Sequence, residues 1–320
     1  MTSPLSAART RAFRRLVALT SVALVALTIS ACGSSSTGSA ASAAVVQVVA
    51  AENEYGSVAA QIGGRYVSVT SVESDPNTDP HSYEVSPSVA SQVAAAQLVI
   101  QNGAGYDDFM TKIESASPGS NRQVITVQRL LGLPEGTPNP HLWYAPNTMP
   151  KVAERLAADL STLQPANAGY FTANAARFIA SLRPWLAAIA SFKARYARTP
   201  VATTEPVADY LLQATGTHNL TPFRFQADIM NGVDPTPQDV SLENSFFTGH
   251  VVTVFVYNQQ VTDSLTQSFI ATARQAKIPV VGVYETMPTP GYNYQSWMLA
   301  EVDALTKAVA DHTSTAKLAL

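Results

Sequence analysis

Residues 45–70 of the chain read VVQVVAAENEYGSVAAQIGGRYVSVT. The runs at 45–50 and 66–70 are rich in valine, which is typical of β-strands. Residues 54–62 between them are mostly small or apolar, as suits a helix, and Gly63-Gly64 provides its end. A strand, a helix and a second strand in this order predict a βαβ unit, in which the two strands belong to a parallel sheet.

The same alternation of strands and helices continues along the chain and returns after Pro200. The further strands are predicted at 98–100, 123–127, 201–204, 251–257 and 279–284. The further helices are predicted at 87–96, 206–215, 264–275 and 295–310. This order predicts an α/β fold with two lobes, each with a parallel β-sheet flanked by helices.

The middle of the chain has a helical pattern instead, over residues 150–163 and 166–196. Its apolar face is formed by Phe171, Phe178, Leu182, Trp185, Ile189 and Phe192. Their spacing of three, four or seven residues predicts a long interlobe helix, which Pro184 should kink. We therefore predict an N-terminal lobe at 44–147, interlobe helices at 148–198 and a C-terminal lobe at 199–320.

The N-terminus has the pattern of an export signal. Four arginines precede an apolar run over residues 16–29, and Ile-Ser-Ala-Cys ends at Cys32, the one cysteine of the chain. This ending resembles a bacterial lipobox. It predicts a lipoprotein signal peptide over 1–31, lipidation of Cys32 and a flexible tether over 32–43. The alternative is a soluble exported protein in which Cys32 stands at the cleavage site by chance.

Composition limits the partners and ligands that the chain can have. The formal net charge is −3, and removal of the signal peptide would make the remaining chain more acidic. An acidic body argues against a nucleic-acid partner and is compatible with a cationic ligand. Because the single cysteine is predicted to be acylated, a metal site would have to use histidine, carboxylate or backbone oxygen ligands.

The five histidines differ in their sequence setting. His81 and His141 each follow a proline in a predicted loop, where a rigid scaffold can orient a side chain. His218, His250 and His312 have no comparable setting. A lone loop histidine often has no function, so His81 and His141 are candidates only together with other ligands.

Two acids, Glu205 and Glu285, directly follow predicted strands of the C-terminal lobe. Glu205 could simply be an acid at the start of the helix predicted from Pro206, and Glu285 a solvated acid at a strand end. In open α/β sheets, however, ligands bind beyond the carboxyl ends of the strands. Two imidazoles and two carboxylates would form a nitrogen and oxygen site for a divalent metal.

Three segments resemble the zinc- and manganese-binding receptors of bacterial ABC importers, the cluster A-I metal-receptor family. They are Asp-Pro-His-Ser-Tyr-Glu at 79–84, Ala-Gln-Leu-Val-Ile-Gln-Asn-Gly at 96–103 and Pro-His-Leu-Trp at 140–143. The resemblance covers the chain from about residue 45 to its end. It implies a metal between two lobes, with two ligands from each lobe. At the matching positions these ligands are His81, His141, Glu205 and Glu285.

Three departures from the family pattern leave the metal open. Many zinc-binding members have a histidine where this chain has Glu205, and the family usually has aspartate where this chain has Glu285. A histidine-rich loop, a feature of many zinc-specific members, is also missing from the N-terminal lobe. A second carboxylate makes a site harder, whereas intrinsic affinity favours zinc over manganese. Zn²⁺ and Mn²⁺ therefore both remain candidates.

The resemblance implies a receptor, not an enzyme, that delivers Zn²⁺ or Mn²⁺ to an ABC permease. We expect a monomer that is lipid-anchored at the outer face of the cytoplasmic membrane. One alternative is a surface adhesion or scaffold protein of the same fold with weak or no metal binding. Another is an exported metallohydrolase, although the sequence has no His-Glu-x-x-His element. A third is a receptor for an organic solute, which would not depend on His81 or His141.

Overall fold

The structure is a computed structural model, and it describes residues 45–83, 85–119 and 121–318. The predicted signal peptide, the tether and Cys32 lie outside the described residues. Within the described ranges, no helix is both long enough and apolar enough to span a membrane.

Within the residues that the structure describes, eight strands form two separate parallel sheets of four strands each. The strands are β1 Val46–Glu52, β2 Val67–Glu73, β3 Leu98–Gln101, β4 Gln123–Thr126, β5 Pro200–Thr203, β6 His218–Asn219, β7 Val254–Asn258 and β8 Val280–Val283. Their order is β2-β1-β3-β4 in the first sheet and β6-β5-β7-β8 in the second. The predicted α/β fold with two parallel sheets is therefore confirmed.

The two sheets have the same strand order. In each sheet the second strand along the chain lies on one side of the first strand, and the third strand lies on its other side. In such a sheet the crossovers on either side of the first strand run over opposite faces, which opens a crevice at the carboxyl ends of the strands. The crevice of the first sheet lies between β1 and β3, and that of the second lies between β5 and β7. These positions matter because Glu205 follows β5 and Asn258 ends β7.

Twelve α-helices flank the sheets or connect them in the described part of the chain. They are α1 Asn53–Gly63, α2 Pro87–Ala95, α3 Asp108–Ala116, α4 Val127–Leu130, α5 Thr148–Leu163, α6 Ala168–Ser181, α7 Arg183–Tyr196, α8 Asp209–Thr215, α9 Phe223–Met230, α10 Pro237–Thr248, α11 Ser264–Gln275 and α12 Tyr294–Asp311. The sequence patterns above do not predict α3, α4, α9 or α10.

The connection between the sheets contains two consecutive helices, α6 and α7, where one kinked helix is predicted. They meet at Leu182, and Pro184 lies in the first turn of α7. Proline is well tolerated in a first helical turn because the backbone donors there have no partner within the helix. The predicted apolar face nevertheless continues from α6 into α7, since Phe171, Trp185 and Phe192 are all buried.

A second correction concerns the segment after β5. The helix predicted from Pro206 begins only at Asp209, because residues 204–208 form bends and a turn. Glu205 therefore does not lie at the first turn of a helix. The explanation of Glu205 as an acid that interacts with a helix dipole is lost, and its burial needs another cause.

The largest cluster of buried apolar residues extends through both sheets. It includes Val48 and Ile100 of the first sheet and Val201 and Val256 of the second. Hydrogen bonds also connect the two sides. For example, the Asn53 side chain donates to Met287 O at 2.8 Å and accepts from Met287 N at 3.0 Å. The residue boundaries of the two lobes given above stay predictions.

Candidate metal centre

His81 lies just beyond the carboxyl end of β2, in a short 3₁₀ turn over Pro80–Ser82. Asp79 caps this turn, and its Oδ1 accepts a hydrogen bond from His81 N at 2.9 Å. The His81 side chain is 26% exposed, and its Nε2 lies 3.2 Å from Glu285 Oε2. The imidazole is thus held at the rim of the cluster, with one edge open to solvent.

His141 is the buried counterpart, with a side-chain exposure of 0%. Asn139 Oδ1 lies 3.0 Å from His141 N and 2.8 Å from His141 Nδ1. Because an amide oxygen can only accept, Nδ1 carries a hydrogen, and Nε2 is the nitrogen available to a ligand. This Nε2 lies 3.1 Å from Glu285 Oε2. Asn139 therefore fixes both the orientation of the ring and its tautomer.

Glu285 is the common partner of the two histidines. It follows β8, and its backbone N donates to Gln260 Oε1 at 2.7 Å. Burial alone would raise the pKa of Glu285, but the hydrogen bonds and charges of His141 and His81 outweigh it and lower that pKa well below its ordinary value. Glu285 is thus an ionised carboxylate inside the protein.

The pKa of His81 is affected by the same contact. Burial lowers this pKa, but the hydrogen bond and the negative charge of Glu285 raise it more, so the net shift is upward from 6.5. Without a metal, His81 therefore holds its proton more tightly than an ordinary histidine. A metal ion must displace that proton to bind Nε2.

The remaining predicted ligand, Glu205, lies close to this cluster but is not part of it. Its Oε1 accepts from Asn258 Nδ2 at 3.2 Å, while its Oε2 is buried and has no hydrogen-bond partner. Burial and the charge of Glu285 raise the pKa of Glu205 well above its ordinary value. A buried carboxylate oxygen without a partner is costly, and a cation would remove that cost.

Taken together, the structure brings three of the four predicted residues to one point. One ligand atom each from His81, His141 and Glu285 lies within 4.8 Å of the others, and no other group of this kind occurs within the described ranges. Two imidazole nitrogens and a carboxylate oxygen are ligands that bind zinc and other divalent transition metals.

Aromatic rings enclose the cluster on the side of the first sheet. The ring of Trp143 packs edge-on against His141, with centroids 5.4 Å apart, and Tyr106 contacts both histidine rings. The hydroxyl of Tyr106 also donates to Glu285 Oε2 at 3.0 Å. These rings exclude water from the buried side of the cluster, which strengthens the electrostatic interactions inside it.

Sequence analysis missed three residues that orient the candidate ligands: Tyr106, Asn139 and Asn258. Asn139 could have been found, because it lies two residues before a candidate histidine, and asparagine often bonds to the backbone two residues on. Tyr106 and Asn258 have no such local signal. Their roles arise from contacts with Glu285, far along the chain.

Two parallel-sheet lobes with a buried histidine and carboxylate cluster between them define a metal-binding substrate-binding protein. Comparison with known proteins gives the particular family. Residues 48–308 match the ZnuA family, described as zinc-uptake complex component A, periplasmic. The chain belongs to this family.

Two curated relatives are similar to part of the chain. The manganese-binding lipoprotein MntA of Bacillus subtilis (strain 168) is 27% identical over 166 residues, which are 50% of this chain and 54% of MntA. The chain thus matches about half the length of this relative, and the same holds for the MntA of Halalkalibacterium halodurans, at 27% identity over 164 residues.

Among solved structures, the substrate-binding protein FpvC of Pseudomonas aeruginosa in complex with Mn²⁺ is similar, with a TM-score of 0.68 and 20% identity. The match covers 83% of this chain and 99% of FpvC. The Mn-bound periplasmic metal-binding protein of Candidatus Liberibacter asiaticus has a TM-score of 0.64 and 20% identity, over 83% of this chain and 98% of that one. At this level of identity, the likeness shows the fold.

Proposed function

We propose that the chain is an extracytoplasmic receptor that binds one Zn²⁺ or Mn²⁺ ion and delivers it to an ABC permease. The observation that carries this proposal is the convergence of His81 Nε2, His141 Nε2 and Glu285 Oε2. The two imidazoles come from the first lobe and the carboxylate from the second, so a bound ion would join the two lobes.

The burial of the cluster favours capture over catalysis. A catalytic metal needs an open coordination position and space for a substrate. His141 and Glu285 have no exposed side-chain surface, and only His81 faces solvent. These buried groups therefore suit the capture of an ion better than the turnover of a substrate.

Glu205 is proposed as the fourth ligand. Its unpartnered oxygen lies inside the protein, next to a residue that also contacts Glu285. A small shift of this carboxylate on metal binding would complete a set of two histidines and two acids. Because Glu205 follows β5 and Glu285 follows β8, both acids lie beyond the carboxyl ends of strands in the second sheet.

The relatives support the metal and the location. The MntA proteins are manganese-binding lipoproteins, and FpvC has been solved in complex with Mn²⁺ and with Ni²⁺. By analogy we propose that Cys32 carries the lipid anchor and that the chain works as a monomer at the outer face of the cytoplasmic membrane. Hydrogen bonds between the lobes, such as those of Asn53 with Met287, would restrict opening to small local movements.

Metal content provides the direct test. The purified full-length chain is stripped with a chelator, re-equilibrated with equal Zn²⁺ and Mn²⁺, and analysed by mass spectrometry. We expect one retained ion per chain, which His81→Ala loses and His218→Ala keeps. Retention of neither metal would contradict the proposal and favour an adhesion or scaffold function. Delivery is tested separately, because loss of the protein should reduce Zn²⁺ or Mn²⁺ uptake by the cells that produce it.

A further inference from the structure

Asn258 occupies a position in the second sheet that places it between the two candidate acids. It is the last residue of β7 and is buried. The sheet order puts β7 between β5 and β8. Glu205 follows β5 and Glu285 follows β8, so the carboxyl end of β7 lies between the two segments that carry these acids.

The orientation of the Asn258 amide is fixed by its other contacts. Its Oδ1 accepts from Gln260 N at 3.0 Å, and its backbone N donates to Thr204 Oγ1 at 3.0 Å. An oxygen is needed where Gln260 N donates, so the NH₂ group has to face the acids. Nδ2 donates to Glu285 Oε1 at 2.5 Å and to Glu205 Oε1 at 3.2 Å.

A primary amide has two N–H groups, and Asn258 uses one for each carboxylate. It thereby contacts only one oxygen of each acid. The other oxygen of Glu285 faces His81 and His141, and the other oxygen of Glu205 has no partner. Two buried carboxylates repel each other, and hydrogen bonds from one shared donor group reduce that repulsion while keeping both acids in place.

We propose that Asn258 is a positioning residue that holds Glu205 and Glu285 as a pair, and that this pairing determines how well the site accepts Mn²⁺ relative to Zn²⁺. This inference rests on the proposed function of the site. It adds a residue that contacts no metal but decides whether the second acid is available as a ligand.

The expected selectivity follows from the coordination preferences of the two ions. Zn²⁺ binds imidazole nitrogen strongly, so His81, His141 and Glu285 should provide most of its affinity even when Glu205 is displaced. Mn²⁺ binds nitrogen and oxygen sites more weakly and prefers carboxylate oxygens. Loss of the pairing should therefore weaken Mn²⁺ binding more than Zn²⁺ binding.

The test compares Asn258→Leu with a matched control, Gln226→Leu, in the full-length chain. Gln226 is also a buried amide next to the second sheet, and its Nε2 donates to Thr203 Oγ1 and Asp209 Oδ2. Dissociation constants for Mn²⁺ and Zn²⁺ are measured by competition with a chelating dye. Loss of a residue that orients a metal ligand typically costs about 10–100-fold in affinity. We expect this loss for Mn²⁺ in Asn258→Leu, with a change for Zn²⁺ of less than about fivefold by the same comparison.

Gln226→Leu should leave both constants and their ratio unchanged, because its amide contacts no candidate ligand. In a Glu205→Gln background, Asn258→Leu should have little further effect on Mn²⁺ binding, since the pair is already broken. If Asn258→Leu fails to fold, Asn258→Ser provides the same test, because its short side chain cannot reach both acids.

The outcomes distinguish a failure of the proposed metal-binding function from a failure of the inference about Asn258. A wild-type chain that binds neither ion would contradict the proposed function. A wild-type chain that binds metal, with an unchanged ratio of Mn²⁺ to Zn²⁺ affinity in Asn258→Leu and Asn258→Ser, would overturn the inference alone. An equal loss for both ions in Asn258→Leu and Gln226→Leu would also overturn it, because the effect would then be a general loss of stability.

Discussion

The two sides of the candidate metal centre are oriented by contacts of different range. On the histidine side, the local contacts come from residues two positions away, since Asp79 accepts from the backbone N of His81 and Asn139 bonds to both the backbone and the ring of His141. On the carboxylate side, the partners are distant. Glu205 bonds to Asn258, which is 53 residues away, and Glu285 bonds to His141, 144 residues away.

This difference shows which half of the site depends on the assembled fold. A histidine held by a neighbour two residues away keeps much of its orientation as long as its loop forms. A carboxylate held across strands is oriented only when the second sheet is complete and both lobes are in contact. The carboxylate side should therefore respond most strongly to substitution.

The largest effect is expected from Glu285→Gln, which removes the shared partner of both histidines. We expect the metal dissociation constant to rise about 1,000-fold, equivalent to about 4 kcal/mol. Chelator competition measures the change. Glu243→Gln is the control, because Glu243 is a buried acid of the second lobe that bonds to Thr221 instead. A rise of less than tenfold in Glu285→Gln would show that the carboxylate is not a ligand.

The next largest effect is a loss of folding stability, which should differ between the two histidines because they differ in burial. His141→Ala removes a fully buried ring that contacts Asn139 through Nδ1 and Glu285 through Nε2, and it should destabilise the metal-free chain by about 2 kcal/mol. His81→Ala should cost less than about 1 kcal/mol, because its ring is partly exposed. Both variants should lose metal. Chemical denaturation in the presence of a chelator measures the free energies of unfolding. Equal losses in the two variants would contradict the expectation that the buried histidine contributes more to stability.

A smaller effect is expected when a histidine loses its local partner. Asn139→Ala removes the acceptor of His141 Nδ1–H, so the ring can rotate and change its tautomer. We expect metal affinity to fall by about 10–100-fold. Isothermal titration at neutral pH measures this loss. An unchanged affinity would mean that the surrounding rings, such as that of Trp143, hold His141 by themselves.

The smallest effect, compared per pH unit, is the dependence of metal affinity on pH. Because the pKa of His81 is raised above 6.5, His81 holds a proton in the metal-free chain at higher pH than an ordinary histidine and must release that proton to bind metal. Affinity should therefore fall as pH decreases from 8 to 6, by at most about tenfold per unit for one released proton. Titrations at several pH values measure this slope. A flat profile would indicate that His81 is not a ligand.

The stability of the metal-free chain should increase as pH decreases from 8 to 6, whereas metal affinity should fall. A raised pKa of His81 stabilises the fold below its unfolded value of about 6.5, and this contribution is lost as pH rises through the raised value. Burial raises the pKa of Glu73 to about 9 and that of Glu301 to about 8, and their contributions are also lost as pH rises from about 4.5. Thermal unfolding with a chelator should thus give a lower Tm at pH 8 than at pH 6.

Much of the fold was predictable because it depends on short-range patterns. Valine-rich runs near 46–50 and 254–257 predict strands, since their side chains are buried on both faces of a parallel sheet. The patterns predict helix boundaries less well, as the segment from Glu205 to Asp209 shows. Proline at 206 resembles a helix start, but the chain forms a turn there that holds Glu205 inside the protein.

The sequence by itself determined the α/β order, the interlobe helices and the candidacy of His81, His141, Glu205 and Glu285. Each of these follows from residues within a few positions of one another, or from resemblance to a family. The assignment of all four as ligands stays a prediction. What the sequence pattern indicates is which chemical groups are available.

Only the tertiary structure decided how these groups meet. It brings one carboxylate oxygen of Glu285 against both imidazoles, and it places Asn258 between Glu285 and Glu205. The physical reason is the strand order of the second sheet. Since β7 pairs with both β5 and β8, residues that are far apart in sequence converge at their carboxyl ends.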